Sequence, residues 1–150
     1  NGNTIQLKDY RGKKIVLWFY PKADTPGCTM EGQGFRDDFK KFEEKDIQIF
    51  GVSLDNENDN KAFAEKFSFP YPLLCDVDRE VALSYQAVSS KEDYFLYQDR
   101  LDSIQLFDHF YKSFECDTFL SKKTVSVCSF QVDILCLRST NNTNLKKLRC

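Results

Sequence analysis

Residues 15–20 read Ile-Val-Leu-Trp-Phe-Tyr, six apolar side chains in succession with no polar residue among them. A strand with one face in water alternates apolar and polar positions, so an unbroken run belongs to a central strand of a parallel sheet, covered on both faces. A parallel neighbour requires a crossover, and the next segment supplies one. Phe35, Phe39 and Phe42 recur at i, i+4 and i+7, with Arg36, Asp37, Asp38, Lys40 and Lys41 between them. That is an amphipathic helix laying an aromatic stripe on the sheet. The spacing predicts one helix from the Thr25-Pro26 turn to about Lys45, with Thr25 as N-cap and Pro26 at the first helical position. A strand at 47–53, a helix near 58–67 capped from Asp55 and Asn56, a strand at 73–75 and a helix from about 79 to 86 continue the alternation. With a short strand or turn near Thr4–Leu7, this is one α/β domain, a central sheet with flanking helices.

Cys28 falls in the first turn of the predicted helix. A free thiol titrates near ~8.5, so only a few per cent is thiolate at neutral pH. Unpaired N–H groups and the positive end of the helix dipole favour the anion, and the position predicts an acidic thiol. A thiolate that attacks the O–O bond of a hydroperoxide becomes a sulfenic acid and needs no metal or organic cofactor. It does need a hydrogen-bond partner beside the peroxide, and Thr25, three residues earlier, both donates and accepts. Pro21 and Pro26 stiffen the intervening loop. The alternative for Cys28 is a small buried hydrophobe.

The full string Phe19-Tyr20-Pro21-Lys22-Ala23-Asp24-Thr25-Pro26-Gly27-Cys28-Thr29 resembles the active-site motif of the peroxiredoxins, in the wording of the bacterioferritin-comigratory or peroxiredoxin Q subfamily. Leu7 to Lys14, Gly34 to Asp37, Ile49 to Ser53, Phe63 to Phe67 and Phe69 to Asp76 extend the resemblance over residues 1–95. It implies a thioredoxin-like fold, with an earlier amino-terminal strand outside the sequence. It also implies peroxide reduction by Cys28, with Thr25 and Pro21 as motif partners and Glu31, one turn on, in the local network. The substrate would be hydrogen peroxide or an alkyl hydroperoxide, the reductant thioredoxin, glutaredoxin or glutathione, and the assembly a monomer or weak dimer.

Two departures qualify that expectation. Gln33 stands where many members carry a resolving cysteine, and Tyr85-Gln86-Ala87-Val88 offers none further on. The resemblance therefore implies a one-cysteine mechanism, with Cys75 read as a core residue at a strand end. Gly32 and Gly34, each costing up to ~1 kcal/mol in a helix interior, predict first turns that fray easily. The second departure is the tail. Members follow their last helix with an arginine-bearing strand that holds the thiolate, whereas Arg100 lies near that place but out of register, either in the same role or as a surface residue. Residues 96–150 contain no Gly, Pro, Ala or Met, hold four of the six cysteines, and carry 8 basic and 6 acidic side chains against 13 and 17 in residues 1–95. A replaced carboxy-terminal end, from a frameshift, retained intron or chimeric gene model, accounts for this. The second functional reading is accordingly a non-catalytic or misfolded remnant. Within the tail, 104–115 has a helical stripe and 124–137 is β-rich, with an alternation that slips between Val127 and Phe130. These complete a domain of residues 1–137, and 138–150 reads as a polar, disordered tail.

A net charge of −2 weighs against nucleic acid or an anionic membrane as partner. No apolar run reaches the ~18 residues of a membrane span. His109 is the only histidine, so no His-based triad or zinc site is available, and Asp76-x-Asp78-x-Glu80 reads as helix capping rather than a metal loop. Irregular cysteine spacing in an α/β pattern favours a reducing compartment, the cytoplasm or a plastid.

Overall fold

A computed structural model of the chain describes residues 3–85, 87, 88, 90, 123–127, 130–136 and 147–149. Strand β1 (Thr4–Gln6) leads through a 3-10 turn (Leu7–Tyr10) into β2 (Lys14–Phe19). Helices α1 (Pro26–Asp37) and α2 (Phe39–Glu44) carry the chain to β3 (Ile47–Ser53), and α3 (Glu57–Phe67) carries it to β4 (Leu73–Cys75). After α4 (Glu80–Ser84) come β5 (Lys123–Val127), β6 (Phe130–Cys136) and β7 (Lys147–Arg149). The sheet order is β1-β7-β4-β3-β2-β6-β5. Strands β2, β3 and β4 pair in parallel, with Val16 opposite Ile49 and Val52 opposite Leu74, and the outer pairings are antiparallel.

The apolar run has the double burial expected of it. Val16, Trp18 and Tyr20 point into one core with Phe35, Phe42 and Phe63 from the three crossover helices. Ile15, Leu17 and Phe19 point into the other, with Phe50, Val52, Val81 and Ala82. Successive side chains of a strand face opposite ways, and here both ways are inward. Gly51 is required on the first face. A Cβ there would lie 2.5 Å from Leu73 Cδ2 and 3.1 Å from the Tyr20 ring, closing the space beside the stacked Trp18 and Tyr20, whose ring centroids are 4.5 Å apart.

Three expectations change. The helix predicted to run unbroken to Lys45 divides at Asp38 (φ −93°, ψ 4°), whose carbonyl accepts from Lys41 N–H at 2.9 Å and starts α2. The β-rich segment 124–137 is two antiparallel strands, and the slip in alternation between Val127 and Phe130 is where they reverse. Strand β6 lies against β2, with Ile15 opposite Leu135 and Val16 opposite Ile134. Lys147–Arg149, inside the segment read as a polar tail, is a strand between β1 and β4. Backbone pairing asks for no particular side chain, so polarity alone did not reveal it. The predicted helix at 104–115 and Arg100 lie outside the described residues.

Candidate active site

The loop between β2 and α1 lies at the carboxyl ends of the parallel strands, where open α/β sheets bind ligands. Its start is fixed on the core: Tyr20 N–H donates to Val52 O at 2.9 Å, and Tyr20 OH donates to buried Asn60 Oδ1 at 2.6 Å. Half-buried Pro21 follows. Ala23 N–H donates to Asp55 Oδ2 at 2.7 Å, across to the loop after β3. Asp24 adopts the left-handed conformation (φ 58°), which Asp tolerates better than most residues, and pairs with Lys66 Nζ of α3 at 2.6 Å. Thr25, extended at φ −88° and ψ 153°, then opens the helix ahead of Pro26.

This path brings the threonine hydroxyl onto the cysteine. Thr25 Oγ1 lies 2.9 Å from Cys28 Sγ and 3.1 Å from Lys22 O. One hydroxyl proton serves one acceptor at a time. With a thiol, S–H donates to Oγ1 while the hydroxyl donates to Lys22 O; with a thiolate, the hydroxyl turns to sulfur. Thr25 therefore occupies the N-cap position without bonding a helix N–H. Its side chain is committed to the cysteine instead.

The electrostatics differ from the sequence expectation. Cys28 is 1% exposed, and burial pushes its thiol up, against the lowering pull of Thr25 and of a hydrogen bond with the Lys22 backbone. Glu31 and Asp55, both acidic, raise it further. Loss of solvation is the largest influence on the thiol and outweighs its hydrogen bonds to Thr25 and the Lys22 backbone, because a thiolate leaving water forfeits its hydration. Glu31 itself is pushed up to about 7 by burial, opposed by the indole of Trp18, whose Nε1–H donates to Oε2 at 2.9 Å. The carboxyl one turn below the cysteine thus titrates near neutrality.

Cys28 and Cys75 are both free thiols. Cys75 is half-buried rather than a core residue, and Asn60 Nδ2 lies 3.4 Å from its sulfur. Gln33 is half-buried on α1. Gly32 has a packing role beside the fraying expected of it. A Cβ there would lie 2.6 Å from Phe69 Cζ and 3.0 Å from Trp18 Cη2, and Tyr71 OH donates to Gly32 O at 2.7 Å. The glycine allows close approach of α1 to the sheet. Asp76 accepts from Val81 N–H at 3.1 Å and Ala82 N–H at 2.7 Å, which occupies it in capping α4. Sequence reasoning assigned Asp55 to helix capping and missed its bond to Ala23; Asn56 alone caps α3, accepting from Asn58 and Asp59. No local signal marks a contact between residues 32 positions apart.

A buried cysteine in the first helical turn, bonded to a threonine on a thioredoxin-like sheet, defines a class of thiol proteins, and comparison with known proteins makes the class specific. The AhpC/TSA family model matches residues 1–115, and the chain belongs to that family. The match runs past residue 95, beyond the stretch carrying the sequence resemblance. Peroxiredoxin Bcp of Bacillus subtilis is 43% identical over 94 residues, covering 63% of this chain and 60% of that protein. The chloroplastic peroxiredoxin Q of Gentiana triflora is 38% identical over 81 residues, 54% of this chain and 37% of that protein. Among solved structures, the bacterioferritin comigratory protein of Xanthomonas campestris, which has alkyl peroxide reduction activity, superposes with a TM-score of 0.57 at 32% identity. That superposition covers 58% of this chain and 55% of the other. The chain thus spans about 60% of the length of bacterial relatives such as the Bacillus protein. Among the described residues, no helix is long and apolar enough to cross a membrane.

Proposed function

We propose that this chain is a thiol-dependent peroxidase of the one-cysteine type, with Cys28 as nucleophile. The observation that carries the reading is the 2.9 Å contact between Thr25 Oγ1 and Cys28 Sγ in the first turn of α1. The thiolate attacks the distal oxygen of a hydrogen or alkyl hydroperoxide, the S–O bond forms as the O–O bond breaks, and the leaving oxygen takes a proton to depart as water or alcohol. An external thiol, that of thioredoxin, glutaredoxin or glutathione, then attacks the sulfenic sulfur and releases water. A second thiol frees Cys28 by disulfide exchange. Thr25 orients the peroxide, Pro21 stiffens the loop, Glu31 sits in the surrounding network, and Arg100 is the sequence's nearest match for a cation facing the thiolate. We assign the reaction to a reducing compartment, the cytoplasm or a plastid, and to a monomer or weak dimer.

One observation favours a second reading, a non-catalytic remnant: the thiol is raised by burial and has acidic neighbours, the reverse of an activated nucleophile. Stopped-flow oxidation by hydrogen peroxide and by an alkyl hydroperoxide separates the two. The peroxidase reading expects Cys28 to react far faster than free cysteine and the Cys28→Ser variant to lose the phase. A wild-type rate equal to that of free cysteine would leave only the remnant.

A further inference from the structure

The loop that carries Thr25 to Cys28 has one apolar anchor, half-buried Ala23, which packs against the core beside Tyr20 and Cys28. Lys22, Asp24 and Pro26 are exposed, and Ala23 and Thr25 are half-buried. Beside that packing, two polar contacts hold its middle. The Asp24–Lys66 pair is exposed, and exposed ion pairs hold side chains only weakly. The Ala23 N–H to Asp55 Oδ2 bond is different in kind, because at 2.7 Å it holds the backbone of the loop itself rather than the end of a long side chain.

Asp55 is itself anchored in the core. Its N–H donates to Ser53 Oγ at 3.2 Å, and Ser53 Oγ accepts from Asn60 Nδ2 at 3.0 Å. Asn60 in turn accepts from Tyr20 OH, the residue that begins the loop. Ser53 and Asn60 are buried. The carboxylate therefore ties the middle of the β2–α1 loop to the same buried hydrogen-bond cluster that ties its start. Asp55 pays an electrostatic cost for this, since its charge opposes ionisation of Cys28. The backbone bond to Ala23 is what Asp55 contributes to the site against that cost.

We propose that Asp55 is a positioning residue: by gripping the Ala23 N–H it fixes the loop so that the Thr25 hydroxyl meets the sulfur of Cys28. The assignment rests on the peroxidase reading. It predicts that what matters at position 55 is an acceptor, not a charge. Asp55→Asn keeps an oxygen for Ala23, whereas Asp55→Ala removes it.

Both variants of the full chain are compared with wild type in two measurements. The first is amide exchange at Ala23 by NMR, which reports the grip itself. Protection falls about tenfold or more in the alanine variant, as local opening becomes easier, and stays within about threefold in the asparagine variant. The second is the rate constant for hydrogen peroxide oxidation of Cys28 at its high-pH limit, located by iodoacetamide alkylation, where sulfur is fully ionised. There, changes in the charge around it, from Glu31 on α1, Tyr20 after β2 and position 55, no longer alter the thiolate fraction. A misplacement of about 1 Å costs up to about 100-fold, so the alanine variant loses about tenfold or more and asparagine restores most of it. Unchanged Ala23 protection in Asp55→Ala, an unchanged limiting rate, or equal losses in both variants would overturn the proposal. If wild-type Cys28 reacts no faster than free cysteine, the peroxidase reading fails separately and the grip stands or falls on Ala23 exchange.

Discussion

Replacing Glu31 by Gln isolates the electrostatic consequence of burying a carboxyl beneath the cysteine. Glu31 is raised from 4.5 to about 7, chiefly by burial. The folded state therefore holds a proton that the unfolded chain has released, and stability falls as pH rises from the unfolded value through the folded one. At about 1.4 kcal/mol per pH unit, a displacement of that size amounts to roughly 3 kcal/mol, present below pH ~4.5 and lost by pH ~8. Glutamine keeps an oxygen for the Trp18 indole, 2.9 Å from the carboxylate in the wild type, but cannot ionise. Urea unfolding of wild type and Glu31→Gln across pH 4–8 should show a wild-type decline that the variant largely lacks. Asp76, also raised by burial, contributes a decline of the same sign in both proteins, so the difference between them isolates Glu31. Trp18 is the only tryptophan, so its emission in the folded wild type should change with a midpoint near 7, as Glu31 titrates to about 7. Matching pH dependences in the two proteins, with no fluorescence transition near neutrality, would refute the reasoning.

Other substitutions test the site and the packing beneath it. Thr25→Val removes the hydroxyl 2.9 Å from Cys28 Sγ. A hydrogen bond to a charged group contributes ~1.5–3 kcal/mol, so iodoacetamide alkylation at neutral pH should slow by about tenfold or more and its midpoint should move upward. An unchanged profile would show that the hydroxyl does not stabilise the thiolate. Gly32→Ala adds a Cβ 2.6 Å from Phe69 Cζ, on a ring stacked against Tyr71 at 5.4 Å and edge-on to Phe63 at 4.9 Å. Overpacking costs about 1–3 kcal/mol, more than the up to ~1 kcal/mol gained in helix propensity. Thermal unfolding should therefore show a net loss, and a more stable variant would mean that Phe69 gives way freely.

The parts of this protein legible in its sequence are those set by short-range geometry. The run from Ile15 to Tyr20 implied a strand buried on both faces, and the i, i+4, i+7 phenylalanines implied helical cover, because strand and helix periods fix which side chains share a face. Thr25 and Cys28 are three residues apart across a helix start, so the turn itself brings hydroxyl and sulfur together. The family resemblance, too, was carried by contiguous residues. What tertiary structure decided involves groups distant along the chain. Glu31 meets Trp18, Ala23 meets Asp55, and Gly32 lies under Phe69. Strand β6 finds β2 across more than 100 residues, with Lys14 opposite Cys136. The state of the cysteine changed most. A first-turn position predicts an acidic thiol, yet the fold buries Cys28 and sets Glu31 and Asp55 near it, and its thiol is raised. Helix position is local and can be read along the chain, whereas solvation depends on everything that packs around the sulfur.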